Sequence, residues 1–193
     1  AEIPDKYKNE VEVILNRNVK IEIASDGKDV FQYYLFHEKI YINSDDAIER
    51  NNRIYIPFNI NESVIETKAR VILSNGKIIS LDKNDIKEEV DEEKGLKLNY
   101  FALTGIEKGA IIEQLYVIKE FPELDGKTIK MQDEYPILNV NFELIYPNFV
   151  DFKTKSYNGL SEATIDTKRF KNKGVISISE KEIPALHDDE KYA

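Results

Sequence analysis

The chain of 193 residues contains no cysteine. That absence excludes a thiolate nucleophile, a cysteine-ligated zinc and a disulfide together, but leaves the redox compartment open, since envelope proteins can also be cysteine-free. Tryptophan is absent as well, which removes the largest aromatic surface on which a sugar could stack. Histidine is scarce: His37 and His187 stand far apart, with no His-Glu-x-x-His pair, and no EF-hand loop accompanies them. No metal and no other cofactor is expected.

Other signals are missing too. No apolar run approaches the ~18 residues of a membrane span. The chain opens Ala1-Glu-Ile-Pro, without an initiator Met or a basic-then-apolar leader, and so reads as a processed or trimmed product. Lys and Arg number 27 against 36 Asp and Glu, a formal charge of −9, and no basic cluster offsets it. Nucleic acid and anionic membrane are therefore not expected partners. No Gly-x-Ser-x-Gly elbow is present, and no pair of carboxylates stands out among the 36 acids. The chain is not expected to be an enzyme.

What is present is β patterning. With 41% hydrophobic and 33% charged residues, the composition is that of an ordinary globular protein, long enough to bury roughly 70% of its unfolded surface. Apolar residues alternate in Val11-Val13-Leu15, Val19-Ile21-Ile23, Ile54-Ile56-Phe58 and Val175 to Ile178, which predicts short strands with one buried face. Asp26-Gly27, Asn75-Gly76, Asp125-Gly126 and Asn158-Gly159 are dipeptides that accept the positive φ of tight hairpins. The clearest hairpin is Ala69 to Leu81, turning at Asn75 and Gly76. Helix signal is thin: Ser44 to Arg50 opens with good capping residues, and Asp82 to Lys94 reads as a charged loop with a helical turn. The acidic run within it interleaves lysines and has no glycine before Gly95, so a solvated loop is preferred over a calcium site.

The fold these patterns predict is all-β, an antiparallel β-sandwich in one domain over residues 1–182. Residues 183–193 leave the alternation, and Pro184 favours extended geometry before it. This suits a strap toward a downstream domain.

His37 lies in a strand where Phe31, Tyr33, Leu35, His37 and Lys39 share one face, which reads as a strand histidine among aromatics. Phe101 to Lys119 places Gly105 and Gly109 four apart, then sets Glu113 in an apolar run. The glycines match neither a phosphate loop nor a membrane-helix motif and suit a turn between strands. Ile111, Glu113, Leu115 and Val117 then share a face, so Glu113 is expected to be paired or at a rim.

Leu103-Thr-Gly-Ile-Glu-Lys-Gly-Ala-Ile-Ile-Glu-Gln-Leu-Tyr116 resembles a known pattern: Leu-Pro-Gly, three residues, Gly-Ser, then an apolar-Glu-x-x-Tyr strand. That pattern marks the uncharacterised β-sandwich domain found N-terminal to the transglutaminase-like domain of exported, Bacteroidetes-type bacterial proteins. The Asn75-Gly76-Lys77 hairpin, the strand start Tyr135-Pro136-Ile137, and Ile183 to Leu186 with Glu190 resemble further elements of it. Thr104 and Ala110 depart from the pattern. The resemblance spans about Asp29 to Tyr192 and marks Gly105, Gly109, Glu113, Tyr116, Asn75, Gly76 and Pro136 as signature positions of the fold. It implies a periplasmic or cell-surface accessory domain whose partner is a downstream transglutaminase-like domain, where the Cys-His-Asp machinery resides. The alternative is a stand-alone module binding a glycan or peptide.

Overall fold

In the computed structural model, residues 3–122 and 126–186 are described; Asp125, His187 and Glu190 lie outside them. Eleven strands form two sheets packed face to face. They are β1 (Glu12–Ser25), β2 (Val30–Ile42), β3 (Arg53–Asn59), β4 (Ser63–Ile72), β5 (Ile78–Ser80), β6 (Lys87–Asp91), β7 (Leu96–Ala102), β8 (Ile111–Glu120), β9 (Ile137–Pro147), β10 (Thr164–Phe170) and β11 (Lys173–Ile183). The large sheet runs β10-β11-β9-β1-β2-β8-β4-β5 and the small one β3-β7-β6. Every neighbouring pair is antiparallel except β1 and β9, which run parallel in the middle of the large sheet. The all-β sandwich expected from the alternation is present, with that one parallel pair added.

The core lies between the sheets. Ile56 and Phe58 of β3 and Phe101 of β7 pack with Ile40, Ile42, Ala69, Val71 and Ile112 from the large sheet. The small sheet covers only the β2-β8-β4 side. Over β1, β9 and β11 the same face is covered by coil, through residues such as Ile129, Met131, Phe152 and Leu160.

Three elements differ from the sequence reading. Val13, Leu15 and Val19-Ile21-Ile23 are parts of one long strand that starts just after Val11 and is broken by a register shift between Ile14 and Asn16. Ahead of this bulge Ile14 faces the core, and beyond it Arg17, Val19, Ile21 and Ile23 do; an extra residue reverses which positions point inward. The charged segment after Asp82 has its expected helical turn, a 3-10 turn at Lys83–Asp85, but this leads into β6, an exposed edge strand where a loop was expected. Asn158 and Gly159 both have positive φ but turn within coil, whereas the β10-β11 hairpin turns at Asn172.

Elsewhere the local chemistry acts as expected. A helix, α1 (Asp45–Asn51), starts where the Ser44 hydroxyl accepts from the Ala47 amide at 3.0 Å. The β4-β5 hairpin turns at Asn75-Gly76, with Gly76 at φ 85° and the Asn75 side chain accepting from the Lys77 amide at 2.9 Å. Gly105 and Gly109 form the β7-β8 connection at φ 74° and 87°. The Gly109 amide donates to the Ile42 carbonyl at 2.8 Å, and the Ile42 amide donates to Ala110 at 2.9 Å. These two bonds tie the turn to the end of β2. Pro136 is fully buried just before β9, and its carbonyl accepts from the Ile14 amide at 2.9 Å. Ile183 falls within β11, paired with Ile137.

Candidate functional site

Glu113 sits on β8, between β2 and β4, on the face of the large sheet turned away from the core. The register sets Lys39 and Arg70 directly opposite it on the two flanking strands. Its side chain is only 14% exposed. His37 Nε2 lies 2.9 Å from Oε1, Lys39 Nζ lies 3.2 Å away, and Arg70 Nε reaches Oε2 at 2.6 Å. Burial alone would push the Glu113 carboxyl up, but the bonds from His37, Arg70 and Lys39 outweigh it and hold it at about 2. A carboxylate held that low keeps its charge at neutral pH and has no proton to donate.

The hub continues sideways. His37 Nδ1 meets Asn18 Nδ2 at 3.2 Å, Asn18 Oδ1 accepts from Asn141 at 2.9 Å, and Asn141 Oδ1 accepts from the Ser179 hydroxyl at 2.8 Å. This line of polar groups crosses six adjacent strands, from β11 to β4. Cross-strand neighbours stand close enough for each to satisfy the next. His37 is thereby built into a relay rather than standing alone among aromatics, although Phe31, Tyr33, Leu35 and Lys39 do share its face.

Alternation along the same two strands puts a second network on the core side. Gln114 follows Glu113 and donates to Glu38 Oε2 at 3.2 Å. Arg17 Nε donates to Glu38 Oε1 at 2.6 Å, and Arg17 Nη2 to Asp133 Oδ2 at 2.7 Å. The Arg17 and Glu38 side chains are 8% and 5% exposed. Burial pushes the Glu38 carboxyl up against the pull of Arg17. Asp133 is also pushed up by burial, but the Arg17 hydrogen bond and charge more than reverse this and leave it low. Tyr116 faces this side, stacked on Phe36 with ring centroids 5.1 Å apart, and burial raises its phenol. The backbone carbonyl of Asp133 accepts from the Leu186 amide at 2.8 Å, so the network reaches the segment that follows β11.

The structure thus brings Glu113 and His37 together, leaves Tyr116 on the opposite face, and places Gly105, Gly109, Asn75, Gly76 and Pro136 at turns and a strand start. Sequence reading missed Arg17, Glu38 and Asp133. Asn16-Arg17-Asn18 interrupting an apolar strand was the available signal, and so was Glu38, which shares its period with the buried Ile40 and Ile42.

Comparison with known proteins bears on the fold. A protein of Parabacteroides distasonis, described as a "putative protease", matches at TM-score 0.72 and 16% identity, over 92% of this chain and 37% of its own. The chain thus spans little more than a third of that relative. An M1 zinc metallopeptidase of Deinococcus radiodurans matches more loosely, at TM-score 0.45 and 9% identity, over 89% of this chain and 39% of its own. No curated protein matches the sequence. Residues 28–187 match the family described as a domain of unknown function with a solved structure, DUF3857, and the chain belongs to that family.

Proposed function

We propose that this domain is a non-catalytic accessory module of a larger exported protein, acting beside a transglutaminase-like, cysteine-protease-type domain to position that domain or its substrate. The anchoring of the C-terminal segment carries the reading. Ile183 pairs in β11 and Leu186 bonds to Asp133, which Arg17 holds in turn. A segment leaving from a fixed ionic anchor can orient whatever follows it. In support, the fold fills 37% of a longer chain described as a "putative protease", a share that suits a module beside a catalytic one. The Glu113 and Arg17 networks fit the same view, since their charged groups already engage one another.

Sequencing the open frame past Ala193 tests the proposal. Continuation into a domain with a Cys-His-Asp set is expected; a stop codon shortly after Ala193 would overturn it. The isolated chain is expected to leave casein and small peptide amides uncleaved, and turnover of either would sink the non-catalytic assignment.

A second reading, a glycan- or peptide-binding module, draws on Tyr55 and Tyr100. Their rings stack 6.1 Å apart on the outward face of the small sheet, with Tyr55 52% exposed. Binding on a glycan array or peptide screen that disappears in Tyr55→Ala would favour it, and flat results on both would remove it.

A further inference from the structure

The middle strand of the small sheet has its polarity turned over. In a sheet packed on one side, alternation sends apolar side chains to the core and polar ones to water. On β7 the core-facing Phe101 obeys this, but the other inward positions are Lys97, 3.7 Å from Glu88, and Asn99, whose buried Oδ1 has no hydrogen-bond partner among the described residues. The outward positions of the same strand are Leu96, Leu98 and Tyr100, outside the core cluster. Beside them on β3, Tyr55 pairs with Tyr100 and Pro57 with Leu98, and both Tyr55 and Pro57 are exposed. An apolar strand face turned outward marks a surface that something else covers.

The charges beside this patch point to its occupant. On the same outward face, β6 sets Lys87 next to Tyr100 and Glu89 next to Leu98. Both are exposed, and among the described residues neither is in an ion pair. A second copy turned over about an axis across the strands, between the Tyr100 and Leu98 rows, keeps β6 above β6 and exchanges the rows. Lys87 of each copy then stands over Glu89 of the other, Tyr100 over Leu98, and Tyr55 over Pro57. Each contact occurs twice, as in any isologous pair. Opposite charges meet at the rim and rings meet aliphatic side chains in the middle, within reach at the ~10 Å spacing and roughly 30° rotation of packed sheets.

We infer that the outward face of the small sheet is a self-association surface, on which a second copy of this chain packs sheet to sheet by two-fold symmetry. This occupant takes the face where the second reading above places a glycan or peptide, and it needs no downstream domain. Three strands of five to seven residues give a footprint of roughly 300 Å² per copy from strand spacing and rise, under half of the ~800 Å² of a standard interface. The dimer is therefore weak, half-formed at a concentration on the order of 100 µM.

Sedimentation equilibrium of the purified chain from about 10 µM to about 1 mM tests this, with a reversible monomer-dimer equilibrium expected. Leu98→Lys puts a charge in the middle of the face, where the symmetry repeats it, and should abolish the dimer; circular dichroism checks that the variant folds. Lys87→Glu and Glu89→Lys each set like charges opposite one another and should weaken the dimer about fivefold or more at low salt. Both changes in one chain restore opposite charges, and the affinity should return to within about twofold of the unaltered protein. A chain that stays monomeric throughout would overturn the inference. So would a dimer that Leu98→Lys leaves intact, or single charge changes that leave it unweakened or whose losses add in the double variant. Binding of a glycan or peptide through Tyr55 by a chain that stays monomeric would give the face to the second reading instead.

Discussion

Glu113 and Arg17 each hold together charges that could not stay buried alone. The Glu113 carboxyl is lowered from 4.5 to about 2, so the stability it adds is complete above about pH 4.5 and is lost as the pH falls toward 2. Glu113→Gln should therefore lower the unfolding free energy by about 2 kcal/mol at neutral pH. The gap from the unaltered protein should shrink to roughly half by pH 3. Urea titrations of both proteins at pH 7 and pH 3 measure this; an equal gap at the two pH values would assign the loss to packing instead. Arg17→Met strands the buried Glu38 without a cation, leaves Asp133 only the exposed Lys130, and should cost roughly 3–5 kcal/mol. Glu38→Gln should be milder, because burial already pushes that carboxyl toward its neutral form. Thermal melts of the two variants would rank them, and a Glu38 change costing more than the Arg17 change would contradict the account.

The strand elements separate what local sequence can encode from what it cannot. The Asn75-Gly76 hairpin, the Ser44 cap and the Gly105-to-Gly109 turn were legible because each is decided by a few adjacent residues. The bulge near Leu15 was not, since only pairing with β2 reveals the extra residue. Nor was β6, whose charged sequence looks like a loop until β7 supplies its hydrogen bonds, and whose charges suit an unpaired edge. The Glu113 face was readable from alternation; its partners on β2 and β4 were not, because they lie 74 and 43 positions away in a register set by the whole sheet. The turn glycines offer a test of local strain. Gly76 and Gly105 both have positive φ, but an added Cβ at Gly76 meets nothing, whereas at Gly105 it falls 2.5 Å from Ile79 Cδ1. Gly76→Ala should cost about 1 kcal/mol from backbone strain, and Gly105→Ala more. Shortening Ile79 to Val should recover part of the excess, so chemical denaturation of Gly105→Ala with Ile79→Val should show a smaller loss than the sum of the single changes.

For the whole molecule, composition and alternation made the sandwich class legible, but the strand order was hidden, above all the parallel contact of β1 with β9. Half of the large sheet lies under coil for the same reason, because no periodic pattern marks the residues that roof it. That parallel contact bears on how the chain is made. Ile14 meets Ile137, so β2 can fold back on β1 early in synthesis, while the other side of β1 waits for a partner made more than a hundred residues later. Contacts of such long range slow folding and prolong the exposure of an unsatisfied edge. A chain ending before Ile137 should therefore be recovered from inclusion bodies rather than as soluble protein, and soluble, monomeric expression of that truncation would show that β1 does not depend on its late neighbour. The nascent protein is most open to self-association, or to capture by a chaperone, while its central strand still has one bare side.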